Sequence, residues 1–155
     1  MRIISGKFRG QKLHAPLDNK IRPTSDRAKE MIFNTLNSIL QKKKKNYDNL
    51  SVLDCFCGSG SLGIECISRG TKNVFFVDQS LQSLNLTKKN CDLIQSKHLA
   101  KFLLSDFCNL KKNMFCADLF FLDPPYNKYK INEITSFLIS NGLIKKKNNW
   151  SYRDS

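Results

Sequence analysis

The sequence predicts an α/β fold, a mainly parallel sheet with helices on both faces. Three observations predict it. From Leu50 onward, short apolar runs alternate with segments of helical period. A glycine-rich turn, Cys57-Gly58-Ser59-Gly60, joins the first run to a helix. A rigid Asp123-Pro124-Pro125-Tyr126 turn closes a later run. Alternating strands and helices imply parallel pairing through right-handed crossovers. In such sheets ligands bind at the carboxyl ends of the strands.

The elements follow in order. Residues 1–24 are basic and turn-rich, and Arg2–Ile4 can pair with Gln11–Leu13 as a small hairpin around Gly6–Gly10. Pro16 and Pro23 punctuate the segment, and Thr24 or Ser25 can cap a helix after it. Ala28, Met31, Ile32, Thr35, Leu36, Ile39 and Leu40 recur at helical spacing and predict the stripe that faces a core. Lys42–Lys45 end that helix and begin a polar linker to Asn49. Ser51–Cys55 reads as a buried strand, Leu62–Arg69 as a helix stopped by Gly70, and Asn73–Val77 as a second strand. Ser80 caps a helix to about Ile94. Leu99–Leu104 and Asp118–Leu122 are further strands, and Ile131–Ser140 is a helix stopped by Asn141-Gly142.

The chain has 155 residues, the length of one ordinary domain, and its 41% hydrophobic content suffices for a core. No apolar run is long enough to cross a membrane, and the first residues carry no secretory stretch. Six scattered cysteines show no CxxC spacing, so a metal or disulfide framework is not expected and a reducing cytoplasm fits. The net charge of +13 favours a polyanionic partner, nucleic acid before an anionic membrane. Only six of the 26 basic residues are arginine, so part of that excess can reflect lysine-rich composition.

Gly58 and Gly60 permit tight turns and close ligand approach, and the helix after them offers unpaired N–H groups. Asp78 closes the next strand, where an acid can accept both hydroxyls of a ribose. A dinucleotide would fit that geometry too. Asp54, however, stands at the mouth of the first strand, where a cofactor pyrophosphate would pass. A carboxylate repels phosphate and suits a cationic amino-acid group, which favours S-adenosylmethionine over a nicotinamide dinucleotide.

Asp123-Pro124-Pro125-Tyr126 follows the apolar run Leu119–Leu122, and a proline pair cannot continue a central strand. The turn presents a carboxylate, a carbonyl and an aromatic face. Amino groups on bases are poor nucleophiles because their lone pair is delocalised into the ring. The Asp123 side chain and the Pro124 carbonyl can together bind both amine hydrogens and favour a pyramidal, attacking nitrogen. Tyr126 can stack on an extruded base. The alternative reading is a strand-ending turn with a surface tyrosine.

The two motifs, in this order, resemble class I S-adenosylmethionine-dependent amino methyltransferases. The segments Met1–Gly10 and Arg22–Arg27, with Glu30, resemble the start of the RsmD family; Asp54–Gly60, Ser68–Gly70 and Asp123–Tyr126 fit it too. The resemblance covers residues 1 to about 142. It implies a Rossmann-like class I methyltransferase fold and methylation of the N2 of a guanine in small-subunit (16S) ribosomal RNA. It implies that Asp54, Gly58, Gly60 and Asp78 hold the cofactor, with Asp106 near its adenine. Arg2, Lys7, Arg9, Lys12, Arg22 and Arg27 would touch RNA, Arg22–Arg27 lining the reaction pocket. Residues 1–24 would be a basic arm and 25–155 the methyltransferase domain of a single-domain, monomeric, cytoplasmic enzyme. Its partner would be 16S RNA or a partly assembled small subunit.

Family members continue with a strand after the last helix and finish with an antiparallel pair. Here Leu143-Ile144 leads into Lys145–Trp150 and the chain stops at Ser155, so the expectation is a sheet lacking its last strands. Two other readings stand beside the first. The same chemistry could act on adenine N6 in DNA or on a protein glutamine amide, although a DNA enzyme usually needs an added recognition domain. A shortened, inactive RNA-binding remnant is the reading from a different class.

Overall fold

The computed structural model describes residues 1–16, 25–111, 117–124 and 130–143. Among these residues four parallel strands form one sheet: β1 (Ser51–Cys55), β2 (Asn73–Asp78), β3 (Ala100–Leu104) and β4 (Leu119–Leu122), in the order β3-β2-β1-β4. The α/β class and parallel pairing expected from the sequence are present. The chain runs outward from β1 through β2 to β3, then returns to the other side of β1 as β4. In sheets of this kind such a reversal marks the place of the ligand crevice, here between β1 and β4 at their carboxyl ends.

Helices cover both faces. Strand residues alternate in direction, so Val52, Val74, Phe76 and Phe121 share a core with α1 (Asp26–Lys42), α2 (Ser61–Ser68) and α3 (Leu81–Leu93). Leu53, Cys55 and Val77 point the other way, against Ile134 and Leu138 of α4 (Ile131–Ser140) and against Phe107 and Leu110. Caps fall where the sequence placed them. Ser25 accepts from the Ala28 N–H (3.1 Å), and Ser80 accepts from the Ser83 N–H (3.3 Å). The α4 terminus turns at Gly142, and the Leu143 N–H closes it onto the Leu138 carbonyl (2.9 Å).

The inward face of α1 differs from the expected stripe. Met31, Ile32 and Ile39 are exposed, whereas Lys29, Phe33 and Leu40 are buried and Leu36 is half-buried. The physical reason is Lys29. Its ammonium donates to the Arg2 carbonyl and lies 3.7 Å from Asp26. A satisfied lysine thus occupies a core position that apolar counting rejects. Phe33 follows one turn later, its ring 5.9 Å from that of Phe121 and stacked under the Arg69 guanidinium at 4.5 Å. The linker expected after α1 contains a short 3-10 turn, Tyr47–Asn49, and the Tyr47 hydroxyl donates to Asn37 (2.7 Å).

Residues 1–16 are packed into the α1–α3 side of the molecule. The expected hairpin pairing exists as a single antiparallel bridge, Arg2 to Lys12, with Ile3 and Leu13 buried in the larger core. Buried side chains of the helices hold the segment down. Glu65 of α2 accepts from the Ile4 N–H (2.9 Å) and the Ser5 N–H (3.0 Å), and from the Arg69 side chain (3.0 Å). Ser68 accepts from the Phe8 N–H (3.0 Å) and donates to the Ser5 carbonyl (2.6 Å). Gly6, at φ +83°, lies so close to Ser68 that a Cβ would sit 2.0 Å from its carbonyl oxygen. A hydrogen is the only side chain that fits there.

Candidate active site

The register of the sheet assembles the site. Cys55 pairs with Val77 on one side and Leu122 on the other. Asp78 and Asp123, each one residue past a partner of Cys55, therefore stand at one level on either side of β1. The glycine turn leaves β1 between them.

That turn is tightly wound. Phe56, Gly58 and Gly60 have φ of +60°, +55° and +75°. A positive φ at phenylalanine costs of order 1–3 kcal/mol and persists only where the surroundings hold it. The holding bonds are visible. The Cys57 N–H donates to the Val77 carbonyl (3.0 Å), and the Gly58 N–H donates to an Asp78 carboxylate oxygen (3.0 Å). Thr87 of α3 donates to the Gly58 carbonyl (3.0 Å), and the Asn90 amide donates to the Ser59 carbonyl (3.0 Å). A Cβ at Gly60 would sit 2.4 Å from the Thr87 methyl.

Asp54 is 3% exposed, and one of its oxygens accepts from the Gly63 N–H (2.9 Å), inside the first turn of α2. It thereby satisfies one of the unpaired donors of a helix whose N-cap, Gly60, has no side chain to do so. Burial pushes its carboxyl up to about 8; the Gly63 bond opposes this, and the charges of Asp123 and Asp78 add to it. Three acids thus converge on the crevice, and none of the described residues forms a metal-binding group of His, Cys, Asp and Glu. Asp78 and Asp123 give the site an acidic rim that suits a cation, and a cation there would favour the ionised form of Asp54.

Asp78 uses both oxygens on the backbone, the second accepting from the Ser80 N–H (2.9 Å). Each oxygen keeps a further lone pair for a ligand hydroxyl. Beside it lies a small cleft lined by Cys55, Phe56, Val77, Asp78, Gln79, Ser105 and Phe107. The Phe56 and Phe107 rings stack at 5.4 Å and form its apolar wall. Asp106 does not line this cleft. Its carboxylate caps the Phe107–Asn109 turn by accepting from the Cys108 N–H (3.0 Å), and so sets the position of Phe107. Phe56, Gln79, Ser105 and Phe107 were not singled out from the sequence. Gln79, the residue after a strand-ending acid, carried the most readable signal.

Asp123 is exposed and Pro124 half-buried at the rim of the crevice. Tyr126 and Arg22 lie outside the described residues. Among the basic residues, Lys7, Arg9, Lys12 and Arg27 are exposed. Arg2 is exposed too, but its guanidinium is paired with Asp26 at 3.1 Å.

The sequence profile of the family described as Conserved hypothetical protein 95 matches residues 1–152. The Ribosomal RNA small subunit methyltransferase D of Haemophilus influenzae is 35% identical over 150 residues, covering 94% of this chain and 74% of its own. The chain belongs to this RsmD family of methyltransferases. The Ribosomal RNA small subunit methyltransferase D of Escherichia coli K12 is 29% identical, covering 93% of this chain and 69% of its own. A solved structure from Thermus thermophilus aligns with a TM-score of 0.74 at 25% identity, covering 92% of this chain and 79% of that one. The Rossmann-like class I fold is therefore that of the RsmD family, and the Asp54–Gly60 and Asp123-Pro124 motifs sit on it at the switch between β1 and β4. No helix among the described residues is long and apolar enough to cross a membrane.

Proposed function

We propose that this protein methylates the exocyclic N2 of a guanine in small-subunit (16S) ribosomal RNA, with S-adenosylmethionine as methyl donor. The observation that carries this reading is the level placement of Asp78 and Asp123 on either side of the β1 glycine turn. The pairing joins a ribose-binding acid to an amine-binding one across the crevice. Relatives named for small-subunit ribosomal RNA support the choice of substrate.

The residues fit the cofactor. Asp78 would accept the ribose hydroxyls, the wall of Phe56 and Phe107 would lie against the purine, and the Asp54 carboxyl would face the amino-acid end, whose ammonium would favour its ionised form. The tight turn at Gly58 and Gly60 lets the backbone approach the ligand. When bound, S-adenosylmethionine supplies an electrophilic methyl on a sulfonium centre. The Asp123 carboxylate and the Pro124 carbonyl would accept the two amine hydrogens of the target base. Held so, the amine nitrogen would present its lone pair to that methyl group, and its surplus proton would pass to solvent. Tyr126 would stack on the flipped base. Lys7, Arg9 and Lys12, with Arg2, Arg22 and Arg27, would contact phosphates, which position rather than specify.

The test offers the purified chain methyl-labelled S-adenosylmethionine with 16S RNA, partly assembled small subunits and duplex DNA in parallel. Label recovered as N2-methylguanosine from either RNA substrate supports the reading. Label recovered only from DNA or from protein glutamine overturns it. The reading places this reaction in the cytoplasm with a monomeric enzyme, which sedimentation of the active sample checks.

A further inference from the structure

Asn90 of α3 is fully buried and bonds in two directions. Its amide nitrogen donates to the Ser59 carbonyl in the glycine turn (3.0 Å) and to the His14 carbonyl at the end of the N-terminal arm (3.1 Å). Its amide oxygen accepts from the His14 N–H (2.8 Å). All its donors and one of its acceptor positions are thereby used. One turn earlier on the same helix, Thr87 holds the Gly58 carbonyl. The arm meets the turn once more, where the Ser59 hydroxyl donates to the Met1 sulfur (3.4 Å). The turn, with its three positive φ values, depends on outside bonds for its shape. One of those bonds comes from a side chain whose other bonds are to the arm.

We propose that Asn90 is a positioning residue that couples the N-terminal arm to the glycine turn, so that RNA on the arm and cofactor on the turn tighten each other's binding. The inference rests on the proposed function for the identity of the two ligands. The coupling itself is a property of the chain. A polyanion bound to the exposed Lys7, Arg9 and Lys12 holds the arm down, which holds His14 and therefore the Asn90 amide in place. The amide in turn restrains Ser59 and the turn on which the cofactor would lie. Thermodynamic linkage makes the effect reciprocal.

Substitution cycles in the full chain test this. Ser68→Ala loosens the arm, because Ser68 bonds Phe8 and Ser5 and not the turn. Amide hydrogen exchange at Gly58, Gly60 and Gly63 reads the turn without any ligand. Ser68→Ala should speed that exchange and weaken S-adenosylmethionine binding about 3- to 10-fold, the worth of a net hydrogen bond. In the Asn90→Leu background Ser68→Ala should add much less to either readout, only what the Ser59–Met1 contact carries. Asn90→Asp, which keeps the acceptor for His14 and loses both donations, should behave likewise and serves if the leucine variant fails to fold. Thr87→Val loosens the turn without touching the link, so its effects should simply add to those of Ser68→Ala. Equal effects of Ser68→Ala with and without Asn90 overturn the proposal, as does turn exchange indifferent to Ser68→Ala. A chain that never binds S-adenosylmethionine refutes the functional reading, and the exchange cycle then decides the coupling alone.

Discussion

Replacing Asp54 with asparagine isolates the most perturbed acid of the site. Asparagine keeps an oxygen for the Gly63 N–H (2.9 Å) and removes the ionisation. In the folded chain burial holds the Asp54 carboxyl at about 8, whereas an unfolded aspartate titrates near its ordinary 3.8. The folded state therefore binds this proton more tightly than the unfolded state does. Stability falls as pH rises from about 4 to about 8 and is level beyond, with a slope of about 1.4 kcal/mol per pH unit for one proton. Integrated over that window the parent loses on the order of 5 kcal/mol relative to a chain without the group. Asp54→Asn should match the parent near pH 4 and gain on it steadily up to pH 8. Urea unfolding of both proteins at four pH values measures the difference, in which titrating groups not coupled to Asp54 cancel. Parallel stability profiles would refute the assignment of a buried, proton-holding carboxyl.

Further outcomes follow from the same geometry. Asp78→Asn keeps one of the two oxygens that accept from the Gly58 and Ser80 N–H groups, and loses the other acceptor and the charge that would strengthen the ribose bonds. It should weaken S-adenosylmethionine by tenfold or more, since charge-assisted hydrogen bonds are worth roughly 1.5–3 kcal/mol; unchanged affinity by titration calorimetry removes Asp78 from the site. Arg9→Glu and Lys12→Glu should each weaken RNA and lower the salt dependence by about one phosphate contact, with cofactor affinity in the absence of RNA untouched. RNA binding that ignores both substitutions takes the arm out of the RNA surface. Glu65→Ala leaves Arg69 and the Ile4 and Ser5 N–H groups without their buried partner. It should cost about 3–5 kcal/mol in urea unfolding and expose the arm to hydrogen exchange.

Strand order and the crevice were legible because the sheet obeys alternation. Each strand lies within a residue of its apolar run, and Ser25, Ser80 and Gly142 act where their side chains, or the lack of one, predict. The glycine turn and Asp123-Pro124 were legible because tight turns restrict residue choice. The inward face of α1 was not. Lys29 is buried there only because Arg2 and Asp26, which precede it in sequence, come back to meet its ammonium. Glu65, Ser68 and Asn90 were hidden for the same reason. A polar residue on a helix looks solvated until a distant backbone segment folds over it. Asp54 was read as a partner for a ligand cation, and its bond to Gly63 shows that it also organises the helix that follows. The wall of Phe56 and Phe107 joins two loops about fifty residues apart and carries no local pattern.

The central claim is that Asp123 binds the attacking amine, and single-turnover methyl transfer to 16S RNA with cofactor saturating tests it most directly. The proposed contact strengthens as positive charge develops on nitrogen, so its value lies in the transition state. Folded Asp123→Ala protein should retain cofactor and RNA affinity within a few-fold and transfer methyl about 100-fold more slowly, or worse. A transfer rate within a few-fold of the parent would contradict the account.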